Sequence, residues 1–167
     1  MDAVARFADE AAAFQQWAWH GSDNGERAAR RGLILITRLY LAALDLPPPG
    51  NEDLTDQLDP ERVDDAEWRA VFANCSRLPL DYYGEVFNPS VVPPEEPGVA
   101  SLADDIADLY RDVVTGLRAY QSGLRAQAVW TWGFHFRCHW GQHVTGAIRV
   151  LQCWLAANAP DRLAAEA

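Results

Sequence analysis

Apolar residues recur along this chain at intervals of three and four, the spacing that places side chains on one face of an α-helix. Residues 2–19 carry Val4, Phe7, Ala11 and Phe14 at this spacing, and the sequence GSDNG follows at 21–25. Residues 26–44 end in the apolar sequence LILITRLYLAAL, and three consecutive prolines come soon after it. The pattern predicts two helices, the second of them buried on more than one side.

The middle of the chain predicts one helix and one long irregular segment. Asp59 is a suitable N-cap, Pro60 fits the first helical position, and the helix they open should reach about Cys75. The segment after it is rich in proline and longer than most structureless loops in compact domains. We expect Tyr82–Pro97 to form an irregular strap that packs down through its aromatic residues, Tyr82, Tyr83 and Phe87.

The second half of the chain predicts a helical hairpin. Ser101 resembles an N-cap, with Asp104 three residues later, and Gly123 is suited to ending the helix. Only a short turn separates this helix from the aromatic stretch 128–155, so the two should pack antiparallel.

Stretch 128–155 has the most distinctive pattern of the chain. At 100° per residue, a broad apolar face gathers Val129, Trp132, Phe136, Trp140, Val144, Ala147, Ile148, Leu151, Trp154 and Leu155. Thr131, Gln142 and Arg149 fall on the opposite side. Aromatic residues around most of the circumference predict a long, central and mostly buried helix. The predicted fold class is therefore all-α: one domain over residues 1–167, with about five helices and a tail that frays from about residue 159.

Composition restricts the possible functions. The chain has 24 acidic and 14 basic residues, a net charge of −10, which disfavours a surface for nucleic-acid phosphates. The three cysteines include no C-x-x-C motif and leave an odd thiol, which indicates a reducing compartment. The N-terminus does not resemble a signal peptide, and no stretch has the length of a membrane span. We expect a cytoplasmic bacterial protein with no membrane and no nucleic-acid partner.

Three histidines suggest a metal site. His135, His139 and His143 lie four residues apart and should follow one border of the apolar face. Two His at i and i+4 can share one ion, which usually needs carboxylates from a neighbouring helix as well. Asp105 and Asp108, with Asp112 in the same row, reach a similar height in the predicted hairpin, although the sequence leaves open whether the two rows face each other.

Several alternatives remain open for these residues. The histidines could be structural, each donating to a carboxylate or a backbone carbonyl, or they could serve acid–base catalysis or pH sensing. Trp132 and Trp140 could line a ligand pocket, although core packing is the commoner role of such residues. Cys138 lies between Arg137 and His139, but we expect a buried and inert thiol.

Two motifs resemble a known family. Residues 83–89 (YGEVFNP) and 139–143 (HWGQH) are similar to the bacterial family catalogued as domain of unknown function 5063, and so is the hairpin between Leu102 and Trp132. Members often carry Asp where this chain has Asn88, and some lack one or both of the histidines matching His139 and His143. A site that needs both would then not be general to the family. The resemblance implies a small helical bacterial protein and brings no assigned activity.

Because no catalytic motif is present, the leading hypothesis is a non-enzymatic binding or adaptor protein with an acidic surface, a protein partner or a homodimer, and no cofactor. The alternative is a protein that binds a zinc-like divalent metal through His135, His139 and His143 with Asp105 or Asp108.

Overall fold

Helices account for most of the described chain, as the apolar spacing predicted. The computed structural model describes residues 2–20, 25–48 and 61–164. The helices are α1 (Ala3–His20), α2 (Gly25–Leu44), α3 (Asp65–Cys75), α4 (Leu102–Gln121), α5 (Arg125–His135) and α6 (Gly141–Asn158), with a π-helical turn at Phe136–Trp140 between the last two. One two-stranded antiparallel sheet joins β1 (Tyr82–Glu85) to β2 (Gly98–Ser101). The predicted all-α fold class is confirmed.

The helix α3 begins later than the sequence suggested. Asp59 and Pro60, the predicted start, lie outside the described residues, and residues 61–64 are not helical. Asp64 is the N-cap, and its side chain accepts a hydrogen bond from the backbone N–H of Glu67 at 2.8 Å. Asp64 therefore caps α3, the role that the sequence analysis assigned to Asp59.

The hydrophobic core is centred on α4 together with the C-terminal helix, the name used here for α5, the π-helical turn and α6. Helix α4 packs against α1, α3, α5 and α6, and thirteen of its residues are buried. Its hairpin with α5 forms as predicted around Gly123, whose φ of 82° suits glycine. Trp132 and Trp140 of the C-terminal helix are both fully buried, and both rings contact Phe7 of α1.

The π-helical turn changes the register of the C-terminal helix. The backbone N–H of Gly141 donates to the carbonyl of Phe136, five residues earlier, where an α-helix would use a separation of four. The two halves of the helix therefore do not follow one regular spacing. Thr131, expected on the outer side, is buried, whereas Gln142 and Arg149 are exposed as expected.

The strap contains more regular structure than expected, because its two ends pair as β1 and β2. Asp81 fixes this hairpin to the start of α4: its carboxylate accepts hydrogen bonds from Ser101 Oγ at 2.7 Å and from the backbone N–H of Ala103 at 3.2 Å. Tyr83 is half-buried, whereas Tyr82 and Phe87 are exposed. Only one of the three aromatic residues therefore anchors the strap to the helices.

The end of the described chain is attached to α2. The guanidinium of Arg30 donates to the backbone carbonyl of Arg162 at 2.6 Å, within a short 3-10 turn at Pro160–Arg162. Residues 159–162, which were expected to fray, are therefore held in place. Among the described residues, no helix is long and apolar enough to cross a bilayer.

Candidate metal centre

The three histidines of the C-terminal helix face the row of aspartates on α4. The sequence predicted that Asp105 and Asp108 would reach the height of the histidines and left their relative direction open. In the structure His139 and His143 each lie 2.7 Å from an aspartate of α4, and so does His135. The hairpin thus brings the aspartates of α4 into contact with the histidines of the C-terminal helix.

Asp112 joins two of the histidines. Its Oδ1 lies 2.7 Å from His135 Nδ1, and its Oδ2 lies 2.7 Å from His139 Nδ1. The side chain of Asp112 is only 7 % exposed, so its negative charge has to be stabilised by these neighbours. Only the contact with His139 has the geometry of a hydrogen bond. Because an ionised carboxylate can only accept, His139 Nδ1 carries the proton, and in the neutral ring the lone pair then lies on Nε2.

Asp105 holds the third histidine in the same way. Its Oδ1 lies 2.7 Å from His143 Nδ1, and its Oδ2 accepts a hydrogen bond from the Tyr83 hydroxyl at 2.6 Å. The bond to Asp105 raises the pKa of His143, although burial of the ring acts in the opposite direction. A Cβ added at Gly146 would lie 2.5 Å from the Tyr83 hydroxyl, so this glycine lets the strap approach the site.

Asp108 lies on the Nε2 side of His139. The distance from its Oδ2 to His139 Nε2 is 3.9 Å, too long for a hydrogen bond. Its other oxygen accepts from the indole N–H of Trp68 on α3 at 2.8 Å, which fixes the carboxylate. One potential ligand atom from each of Asp108, His139 and His143 lies within 4.8 Å of the other two.

A second group of three overlaps the first. Asp112, His135 and His139 also offer ligand atoms within 4.8 Å of one another. In this group, however, Asp112 already makes 2.7 Å contacts to the Nδ1 atoms of both rings. An ion there would have to displace the hydrogen bond between Asp112 and His139, whereas in the first group Asp108 makes no hydrogen bond to His139.

The environment of the site is strongly negative. Burial raises the pKa of Asp104, and the nearby charges of Asp108 and Asp105 raise it further. Several carboxylates crowded on one helix repel each other, and a cation between them would relieve that repulsion.

The remaining candidate residues lie elsewhere. Trp132 and Trp140 are packed in the core, and Tyr82 and Phe87 are exposed on the strap. Cys138 was expected to be buried and is exposed, because it lies on the outer side of the π-helical turn.

Two contributors were missed at the sequence level. Asp112 belonged to the predicted row but had no assigned role, although its spacing of four from Asp108 was a usable signal. Trp68 gave no signal at all, because 40 residues separate it from Asp108.

Comparisons with known proteins agree with the fold. The structure of protein BF1032 from Bacteroides fragilis is similar to this chain with a TM-score of 0.72 and 20% sequence identity, over 92% of this chain and 95% of that one. At this identity the likeness concerns the fold. No curated protein matches the chain. The family model described as "Domain of unknown function (DUF5063)" matches residues 2–157, nearly the whole sequence. The chain therefore belongs to the DUF5063 family.

Proposed function

We propose that this protein binds a divalent transition metal through His139 Nε2, His143 Nε2 and a carboxylate oxygen of Asp108. The observation that carries the proposal is the arrangement of the two imidazoles. Each gives its Nδ1 to a buried carboxylate, Asp112 for His139 and Asp105 for His143, which leaves the lone pair of the neutral ring on Nε2. His139 Nε2 lies 3.9 Å from Asp108 Oδ2, and one ligand atom from each of Asp108, His139 and His143 lies within 4.8 Å of the other two. Metal-bound histidines in proteins almost always have such a carboxylate or carbonyl partner on the other ring nitrogen.

One of the three ligand separations is close to that around a small ion. Ligands about 2.1 Å from a tetrahedral ion lie about 3.4 Å from each other. The separation between His139 Nε2 and Asp108 Oδ2 is 3.9 Å, so this pair has to close by about half an ångström, and the ligand atom of His143 lies within 4.8 Å of both other ligand atoms. Two imidazoles and one carboxylate suit zinc, iron and their neighbours better than calcium or magnesium.

The ligand count leaves room for chemistry. Three protein ligands leave at least one coordination position for water or a substrate, which is typical of catalytic rather than structural zinc sites. His139 is 42 % exposed and His143 is 27 % exposed, so solvent can reach this position. We propose a metal-dependent activity at this position.

Metal content tests the proposal. We expect protein purified without chelator or affinity nickel to contain about one transition-metal ion per chain by elemental analysis, or to take up one zinc ion in equilibrium dialysis. His143→Ala and Asp108→Ala should abolish stoichiometric binding. The matched control is His20→Ala, which removes the exposed histidine at the end of α1.

A metal-free protein whose zinc uptake stays far below one ion per chain, and whose melting temperature is the same in zinc and in EDTA, would overturn the proposal. The competing hypothesis, a binding or adaptor protein with an acidic surface, would then remain, and it is supported by the net charge of −10.

A further inference from the structure

A cavity of about 350 Å³ lies beside the metal centre, on the far side of Asp112. Its walls come from the residues before α3, from α4 and from α5, and they include Arg62, Arg111, Asp112, Trp130, Thr131 and His135. This volume is at the lower end of the range for small-molecule sites in proteins. We propose that the cavity binds a small molecule that carries an oxyanion, a carboxylate or phosphate group, on a flat apolar body.

The balance of charge around the cavity favours an anion. Among the described residues that line the cavity, Arg62 and Arg111 are basic and Asp112 is the one carboxylate. That carboxylate already accepts a hydrogen bond from His139 and lies 2.7 Å from His135 Nδ1. The described lining residues thus carry one more positive than negative charge, on a protein whose net charge is −10.

The guanidinium of Arg111 has N–H groups that are available to a ligand. Its Nη2 lies 3.1 Å from Asp65 Oδ1, but the Asp65 side chain is 77 % exposed, and such surface pairs contribute little stability. Its Nε is buried and has no acceptor among the described residues, so a bound molecule would contact the terminal Nη atoms instead. The guanidinium also lies 5.4 Å from the centre of the Trp68 ring, which limits its movement. A ligand oxyanion would add acceptors that this guanidinium lacks.

Thr131 offers a hydroxyl group to the cavity. It is 6 % exposed and lines the cavity, and its hydroxyl makes no hydrogen bond to any residue in the described part of the chain. The helical threonines Thr37 and Thr115 instead donate to the carbonyl four residues earlier, each at 2.7 Å. The Thr131 oxygen is not among the fully buried polar atoms without a partner, so a molecule in the cavity can reach it.

The other walls suit the rest of the ligand. The indole of Trp130 stacks on Phe134 with an angle of 6° between the rings and is 36% exposed, so it forms a fixed apolar surface. His135 lies with its Nδ1 2.7 Å from Asp112 Oδ1, and its ring adds a polar group to the wall of the cavity.

The test uses metal-free, EDTA-treated full-length protein, so that its result does not depend on the proposed metal centre. Phenyl phosphate, benzoate and the neutral benzyl alcohol are titrated by calorimetry, with the Trp130 indole N–H followed by NMR. We expect one of the two anions to bind and shift the Trp130 signal, at least tenfold more tightly than benzyl alcohol. The difference between phosphate and carboxylate identifies the oxyanion.

Single substitutions test whether the anion binds in this cavity. Arg111→Met and Thr131→Val should each weaken binding of the preferred anion, the first at least tenfold. The control Arg69→Met removes an exposed arginine on α3 that also pairs with Asp65, and it should leave affinity unchanged. No binding of either anion, or equal binding of benzyl alcohol, would overturn the proposal. These titrations use the wild-type protein, so their result does not depend on how well the variants fold. An equal loss in Arg69→Met would also overturn it.

Discussion

At the scale of single residues, the most specific contact in the core joins Trp132 to a glycine of α4. The indole N–H of Trp132 donates to the backbone carbonyl of Val113 at 2.9 Å, and the ring lies directly on Gly116. A Cβ at Gly116 would fall well inside contact distance of the indole. The sequence predicted that Trp132 is buried, but it did not indicate Gly116, because glycine has no side chain to contribute to an apolar pattern.

Gly116→Ala should therefore destabilise the protein strongly. The added methyl group has to displace a fully buried indole, and overpacking of this kind typically costs about 1–3 kcal/mol. Urea denaturation should show a free energy of unfolding lower by about 2 kcal/mol or more. Gly84→Ala is the control, because a Cβ there meets nothing within 4 Å. Equal stabilities of the two variants would contradict the assigned contact.

The three cysteines should differ sharply in reactivity. Cys75 is buried, and burial raises the pKa of its thiol to about 12, whereas Cys138 and Cys153 are exposed. At pH 8 a thiol reagent should label two cysteines of the native protein quickly and the third only after unfolding, because the thiolate is the reactive form. Rapid labelling of three thiols in native protein would contradict the buried position of Cys75.

The same shift predicts a loss of stability in alkali. Above the ordinary pKa of 9.0, the unfolded chain releases the Cys75 proton while the folded protein keeps it up to about pH 12. The unfolded state therefore binds fewer protons, and the free energy of unfolding falls as pH rises through this range. Cys75→Ala should flatten this fall in urea denaturation between pH 8.5 and 10, and an unchanged slope would argue against the shifted thiol.

At the scale of elements, apolar spacing was sufficient to predict α1, α2 and α4 and the hairpin around Gly123. It could not reveal the π-helical turn, because one extra residue in a turn leaves an aromatic-rich pattern looking helical. It also could not reveal the pairing of β1 with β2, since four-residue strands carry too few positions for an alternating pattern. Both elements contribute to the site, because the π-helical turn carries His139 and β1 carries Tyr83.

Gly141→Ala should disturb the proposed metal centre through the π-helical turn. A Cβ at this position would collide with the carbonyl oxygen of Phe136, the acceptor of the five-residue hydrogen bond. We expect the turn to relax toward α-helical geometry and to rotate His139 relative to His143. Zinc affinity should fall at least tenfold while far-ultraviolet circular dichroism stays helical. The neighbouring exposed change Gln142→Ala is the control, and equal zinc affinity in both variants would contradict this role of the turn.

At the scale of the whole molecule, both proposed sites lie along the contact between α4 and the C-terminal helix. The sequence supplied His139, His143 and Asp108 as candidate ligands. It also treated Asp105 and His135 as possible ligands, which the proposed site leaves out because the group of ligand atoms around Asp108 contains only His139 and His143 besides. The sequence could not separate these roles, because they depend on which atoms the packed hairpin brings together. The cavity was not foreseen, since 49 residues separate Arg62 from Arg111 in sequence.

Asp112 belongs to both sites, and its replacement should affect them in opposite directions. In Asp112→Asn the negative charge is lost, so the hydrogen bond that holds His139 Nδ1 becomes weaker, because a neutral acceptor binds an N–H less strongly than a carboxylate does. Mutation of such a partner typically weakens metal binding about 10–100-fold. The same change removes the one negative charge among the described residues that line the cavity, so binding of the preferred oxyanion should become tighter.

Both effects can be measured on one preparation, with zinc affinity determined by competition with a chelator and anion affinity by calorimetry in EDTA. Asp161→Asn, an exposed change in the 3-10 turn, controls for the loss of one charge from the protein as a whole. If Asp112→Asn weakened both affinities together, general damage to the hairpin would be the better explanation. If it changed neither, Asp112 would not link the two sites. Opposite changes, absent from Asp161→Asn, would show that one buried carboxylate orients the metal ligands and limits the affinity of the cavity for anions.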